Sequence, residues 1–331
     1  MKDTLRILAV TNLWPVGDSF RGIYVKEQVE ALRDLGHQVD VEVVAQERGK
    51  ADYFFAAQRI RRLVRQGGYD LVHIHYGMTA FSARFVKGIP KVLSLYGSDV
   101  NVRHQHLMTR LGSNGVGARI YVSENLAVNA DDKLGHVIAD GVDFALFTPG
   151  DRDQARKALG IEDDEKVILF GGHPDNWVKG YDVFHDVLTE LQDRGIEVRE
   201  IALAQPRTPR LEVPRKFDAA DVLLFTSRKG SEGSPSVIKE AIAMGLPVVT
   251  VNVGDSAKVL DGVAPGGVVD FPEPWGTGEA RAKLIRLLAD RVADTLAAGT
   301  RANGRERSRW LDTEQVARQI VEVYRQVVNH G

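Results

Sequence analysis

The 331-residue chain has no cysteine, which excludes disulfides, thiolate zinc sites and a cysteine nucleophile, and fits a reducing compartment. It has no apolar run approaching the roughly 20 residues that cross a bilayer, and the apolar part of the opening "MKDTLRILAV" is too short for a secretory leader. The expectation is a cytoplasmic protein. Charge of one sign is missing too. With 43 basic and 45 acidic side chains the net charge is −2, so no global field draws the chain to nucleic acid, and recognition must be local. Repeats and low-complexity tracts are also absent.

What is present is an alternation of short β-rich runs with stretches of helical period. "RILAVTN", "VDVEVVA", "DLVHIHY" and "KVLSLYG" read as buried strands, and "YVKEQVEALRDLGH" as a helix closed by Gly36. The rhythm restarts with "KVILFGG", "GIEVREIAL", "DVLLFTS" and "PVVTVNV", with "YDVFHDVLTELQDRG" and "SPSVIKEAIAMG" as helices. Such βαβ order predicts two doubly wound parallel-sheet domains, 1–150 and 151–331, with ligands expected at the carboxyl ends of their strands. Two amphipathic helices end the chain, one lined by Leu284, Leu287, Leu288 and Val292, the other by Val316, Ile320, Val323, Tyr324 and Val327. The last is a candidate to cross back to the first domain.

The stretch "SEGSPSVIKEAIAMGLPVVTVNVG", residues 231–254, carries the strongest chemical signal. Ser234 reads as an N-cap and Pro235 as a first helical residue, which leaves the first-turn N–H groups as an anion site suited to a diphosphate. Glu232 and Glu240, the latter expected at an exposed helix position, are acceptors for sugar hydroxyls. Together they suit a nucleotide sugar. The same spacing also fits an ordinary capped helix with surface glutamates.

Two glutamates separated by seven residues in "EGSPSVIKEAIAMGLPVV" resemble the donor signature of family 4 glycosyltransferases, which have the GT-B fold of two Rossmann-like domains facing a central cleft. "LWPVGDSFRGIYVKEQVEALRDLGHQVDVEVV", "VIADGVDFALFTPGD" and "FDAADVLLFTS" resemble further family segments, in the family's order. The flavour is most similar to bacterial transferases of the teichuronic-acid and surface-polysaccharide type. The resemblance implies that Glu232 contacts the transferred sugar and Glu240 the ribose. Gly233, Ser234, Pro235 and Ser236 would hold sugar and diphosphate with backbone atoms.

In "FGGHPDNWVKGYDVF", Gly171 and Gly172 allow close approach to a ligand, and Lys179 can reach an anion. The family carries an arginine where His173 stands, so Lys179, with Arg228 or Lys229 as compensating neighbours, is left to neutralise a leaving diphosphate. Gly22 would lie beside donor phosphates or acceptor. On the acceptor side, His75 is expected to reach the cleft from a strand it shares with His73. Tyr96 replaces a family histidine, and Asp99 follows in the same turn. A metal site built from His73, His75, His104 and His106 is the less favoured reading, since no carboxylate motif joins them. "DRD" at Asp151 reads as solvated linker charge. Arg59, Arg62 and Arg65 form a basic helical face, mainly solvated but also a candidate peripheral contact with the inner face of the membrane.

These readings converge on a metal-independent glycosyltransferase without a cofactor, and the resemblance implies that it is retaining. It would move a sugar from a UDP- or GDP-sugar to a glycan, lipid-linked or small-molecule acceptor, in polysaccharide or glycoconjugate synthesis. The alternatives are a non-catalytic nucleotide-sugar-binding subunit and a GT-B nucleotide-sugar epimerase.

Overall fold

Runs such as Ile7–Val10 are apolar at every position, as strands are when helices cover both faces of a sheet. The computed structural model, which describes residues 3–17, 19–45, 48–49 and 51–330, places these runs in two α/β units. The first comprises Met1–Gly141 with Leu311–Gly331, the second Val142–Trp310.

The first unit contains strands β1 (Arg6–Thr11), β2 (Gln38–Val43), β3 (Leu71–His75), β4 (Lys91–Leu95), β5 (Ala118–Tyr121) and β6 (His136–Val137). They form a parallel sheet in the order β2-β1-β3-β4-β5-β6. The second unit contains β7 (Val167–Phe170), β8 (Arg199–Ala202), β9 (Val222–Phe225), β10 (Val248–Val251) and β11 (Gly266–Val269), parallel in the order β11-β10-β9-β7-β8. Both are doubly wound, because consecutive parallel strands must be joined by crossovers that lay helices over the faces.

The division falls a few residues before 150 for a packing reason. Phe147 lies edge-on to Phe217, and Arg305 donates to the carbonyls of Phe144 and Phe147, which ties this stretch to the second unit. Helix Thr313–His330 belongs to the first unit. Its stripe of Val316, Ile320, Val323 and Tyr324 is buried in one core with Ile7, Ala9 and Val92 of the sheet. "DRD" has more structure than solvated charge: the Asp151 side chain accepts from the N–H groups of Asp153 and Gln154 and caps helix Arg152–Leu159.

The basic helix, Asp52–Gly67, differs from expectation at one residue. Arg59 turns inward to a two-bond pair with Asp52, at 2.6 and 2.9 Å, and to Glu42 at 2.7 Å, leaving Arg62 and Arg65 exposed. A partly buried bidentate pair outweighs solvation of the guanidinium. No described helix is long and apolar enough to cross a membrane.

Candidate active site

In the second unit, the loops after β7 and β9 and the start of helix Ser236–Ala243 bring the expected donor residues together. Lys179 ends a short 3-10 turn, Trp177–Lys179, whose start is capped by the Asn176 side chain. Gly180 follows in the left-handed region at φ 67°, and a Cβ there would stand 2.1 Å from the Thr226 carbonyl oxygen. Thr226 closes this contact by donating its hydroxyl to the Gly180 carbonyl at 2.9 Å. Gly172 presses on the Lys179 stem, since a Cβ at 172 would lie 2.8 Å from Lys179 Cγ. The lysine is thus aimed by two glycines.

Its ammonium donates to Glu232 Oε1 at 2.8 Å, and the Ser227 hydroxyl donates to the same oxygen at 2.7 Å. Lys179 Nζ also lies 5.2 Å from the Phe225 ring centroid. The side chains are 24% and 14% exposed, so the pair is only partly screened by water. The two residues expected to serve adjoining parts of one ligand, its sugar and its diphosphate, are therefore neighbours. An ammonium has three donors and a carboxylate several acceptor positions, so the pair can hold each other and a ligand at once.

Two donor-site expectations need correction. Ser234 does not cap the helix. Pro235 occupies the N-cap, and the Ser234 hydroxyl donates to Asp255 at 2.6 Å while accepting from the buried Lys239. A buried ammonium and carboxylate compete for that hydroxyl more strongly than a backbone N–H can. The opening N–H groups of the helix, those of Ser236 and Val237, then depend on a partner from outside it. Gly233 is buried against Gly254, where a Cβ would stand 2.7 Å from the Gly233 carbonyl oxygen. Glu240 is not exposed: it is 4% accessible and accepts from Arg210 at 2.7 Å. Arg210 also covers the Phe147 ring at 4.6 Å. It escaped sequence reasoning because "AQPRTPRLE" has no period and no motif.

The candidate replacements for the missing arginine are engaged. Arg228 pairs with Asp182 at 2.5 Å and lies over Trp177, and Lys229 pairs with Glu273. His173 is half exposed, its Nδ1 accepting from the Asp175 N–H at 3.2 Å. Among these cations, Lys179 is the one bonded to Glu232.

In the first unit, Gly22 is the left-handed N-cap of helix Ile23–Asp34, and a Cβ there would come within 2.3 Å of the Leu13 backbone. The loop after β1 is therefore drawn onto the start of that helix. His75 and Asp99 do not sit at an open acceptor surface, because both are fully buried. Asp99 accepts from the N–H groups of Tyr96, Gly97 and Gly77, tying together the loops after β3 and β4. Burial raises its pKa, making it a weaker acid, against the pull of those donors. His75 Nδ1 shares a 2.6 Å hydrogen bond with the Tyr96 hydroxyl, and Tyr96 packs 4.9 Å from the Tyr24 ring. His73 is held between Ser94 Oγ at 2.8 Å and the Tyr324 hydroxyl at 2.6 Å, which occupies both ring nitrogens and leaves none for a cation. Among the described residues no group of three or more His, Asp or Glu is arranged to hold a metal ion.

Gly180→Ala tests the glycine brace. The left-handed backbone alone costs about 1–2 kcal/mol, and the clash with Thr226 adds to it. We expect a lower urea midpoint together with lower turnover, since the loop can relieve the clash only by moving Lys179. An unchanged midpoint would show that the loop tolerates a Cβ.

Residues 22–146 match the model of glycosyltransferase family 4, and residues 165–290 that of the glycosyl transferases of group 1. D-inositol 3-phosphate glycosyltransferase 1 of Catenulispora acidiphila is 28% identical over 322 residues, covering 80% of this chain and 74% of that protein. Among solved structures, a sucrose-phosphate synthase from Thermosynechococcus elongatus has a TM-score of 0.75 at 18% identity, covering 99% of this chain and 100% of that one. Anabaena HepE in complex with UDP-glucose has a TM-score of 0.69 at 17% identity, covering 97% and 100%. The structural likenesses speak to the fold, and the family models to the chemistry. With one family model on each α/β unit and a curated relative spanning both, the chain is a glycosyltransferase of the family 4 type, built on the two Rossmann-like domains of the GT-B fold.

Proposed function

We propose that the chain transfers a sugar from a nucleoside-diphosphate sugar to an acceptor hydroxyl with retention of anomeric configuration, in the synthesis of a polysaccharide or glycoconjugate. The observation that carries this reading is the Lys179–Glu232–Ser227 cluster beside the opening of helix Ser236–Ala243. A cation and a helix N-terminus there suit a diphosphate, and a carboxylate suits the sugar hydroxyls. Glu240 and Arg210 would flank the ribose. Retention follows from the family resemblance.

In this reading the bond between the anomeric carbon and the diphosphate oxygen breaks while the acceptor oxygen bonds to the same face of that carbon. The acceptor proton passes to an oxygen of the departing diphosphate. Lys179 and the first-turn N–H groups stabilise the charge that grows on the diphosphate, an effect larger in the transition state than in the ground state. Glu232 orients the ring as it flattens. The curated relatives named for D-inositol 3-phosphate make that compound a first acceptor to try.

The test is nucleotide binding. UDP or GDP at 100 times its dissociation constant adds about 2.7 kcal/mol of stability, readable as a thermal shift. Glu240→Gln should weaken nucleotide binding roughly tenfold, the equivalent of about 1.4 kcal/mol, while keeping the fold, because the amide oxygen still accepts from Arg210. Glu240→Ala would also strand the Arg210 guanidinium, at a cost of about 3 kcal/mol in stability, so glutamine is the cleaner probe. No shift with any nucleoside diphosphate, or unaltered affinity in Glu240→Gln, would overturn the donor assignment.

A further inference from the structure

A hollow of about 610 Å³ opens in the first unit, lined by Arg21 and Tyr76, the chain neighbours of Gly22 and His75. Asn12, Ala45 and Tyr76, which follow β1, β2 and β3, all line it, so it lies at the carboxyl ends of three adjacent parallel strands. In open α/β sheets that edge is where ligands bind. Two further observations mark it as built for a guest. Asn12 is 5% exposed and its Oδ1 is buried without a hydrogen-bond partner, while its amide nitrogen donates to the Tyr53 hydroxyl at 2.8 Å. Buried polar atoms are seldom left so. Tyr76 holds a positive φ of 77°, rare for a side chain of its size, and its hydroxyl is fixed by Ser98 at 2.8 Å and Gln105 at 2.5 Å. Strain of that kind persists where the surroundings over-determine a geometry.

The lining has two halves. The rings of Tyr53, Phe54 and Phe81, with the thioether of Met108, form an apolar wall, Phe54 meeting Phe81 edge-on at 5.6 Å. Arg21 lies opposite in chemistry: it makes no ion pair among the described residues, and its charge is felt at the Tyr53 and Tyr76 phenols. Among the described residues no carboxylate lines the hollow. A site for a neutral oligosaccharide would be expected to offer carboxylates to its hydroxyls, and the two amides of the lining, Asn12 and Gln105, each already hold a tyrosine hydroxyl. A site for a small free phosphate would not need an aromatic and thioether wall.

We infer that this hollow receives the acceptor, and that the acceptor is an anionic amphiphile, with a phosphate or carboxylate on Arg21 and an apolar portion on the ring and thioether wall. The inference rests on the transferase reading above and deepens it. Guanidinium pairs with such anions in a planar fork, and the Met108 thioether adapts to an apolar chain of irregular outline. The orphaned Asn12 oxygen would accept from a hydroxyl of the guest.

The experiment is calorimetric titration of the full chain with three probes: octyl phosphate below its micellar concentration, octyl glucoside and inorganic phosphate. Octyl phosphate should bind at least tenfold more tightly than either of the others. Arg21→Gln should bring it down to the level of octyl glucoside. Met108→Asp should weaken both octyl compounds at least tenfold by placing a carboxylate in the apolar wall. UDP and GDP titrations of the same samples separate the two readings, because Met108 lies on a helix outside the expected donor segments and Met108→Asp should keep wild-type nucleotide affinity. Octyl phosphate binding no tighter than inorganic phosphate, or unaffected by Arg21→Gln, overturns the inference even if nucleotides bind. Selective octyl phosphate binding without nucleotide binding supports the hollow and overturns the donor assignment instead.

Discussion

Lys179→Ala lowers transfer at least tenfold, and a hundredfold or more if the lysine is the main cation on the departing diphosphate. Loss of one preorganised contact to a developing oxyanion typically costs about 2.7–4 kcal/mol. The structure adds a second penalty. With the ammonium gone, Glu232 keeps only the Ser227 hydroxyl on its bonded oxygen, and an uncompensated, 14% exposed carboxylate faces the region where the diphosphate would lie. Lys179→Arg should restore only part of the rate, because Gly172 closes the space around the present stem and a guanidinium needs a wider berth. The measurement is single-turnover transfer with a confirmed acceptor, which separates chemistry from product release. A Lys179→Ala enzyme with the wild-type rate would mean the diphosphate is held elsewhere, and Arg210 would be the next residue to replace.

The second large effect is on stability in acid. His73 and His75 are fully buried with their ring centroids 4.0 Å apart, and burial lowers the proton affinity of both, that of His75 to about 3. In the unfolded chain each should titrate near 6.5. Between these values the unfolded state holds protons that the folded state refuses, so stability rises with pH and is lost on acidification. His75 contributes up to about 1.4 kcal/mol per pH unit, roughly 2 kcal/mol between pH 6.5 and 5, and His73 adds to the loss in the same direction. That is a large part of the 5–15 kcal/mol of a typical domain. Asp99, whose pKa burial raises, works in the opposite sense and offsets a part at the acid end of the window. Amide hydrogen exchange in β3 and β4, followed from pH 7.5 to 5 with intrinsic rates corrected, should show protection falling with a slope near two protons. His73→Asn should bring the slope towards one. A flat profile would mean that these rings are charged, or accessible, in the folded state.

Sequence pattern was enough where many residues repeat one signal. Eight strands could be read from β-rich stretches of seven to nine residues, whereas β6 has only two residues, β11 opens on two glycines, and β5 places the charged Arg119 among its four. The segments expected to hold the donor could be delimited because glycine, proline and glutamate stand at fixed offsets for steric and chemical reasons. Side-chain partners were not. Ser234 reads as a cap from its neighbours, and only the fold brings Asp255 against it. Glu240 reads as exposed because its helix is short, and the Arg210 that covers it comes from an aperiodic loop 30 residues earlier. His75 and Asp99 were correctly sought at strand ends, but burial there turned them into ties between loops. The hollow lined by Asn12, Arg21 and Tyr76 carries no motif, since its walls are assembled from four separate stretches of chain.

The return of helix Thr313–His330 to the first unit also affects how the protein can be made. The hydroxyl that completes His73 belongs to Tyr324, 251 residues later, and the core holding Val316, Ile320 and Val323 lacks that wall until they emerge. At roughly 5–20 residues per second, the ribosome leaves the first sheet waiting on the order of tens of seconds with one flank uncovered. The second unit, contiguous from Val142 to Trp310, can close during that interval. The order of maturation is thus the reverse of the order of synthesis for these two units, and the nascent chain's vulnerable surface is the face of β1 and β4 that the last helix will cover.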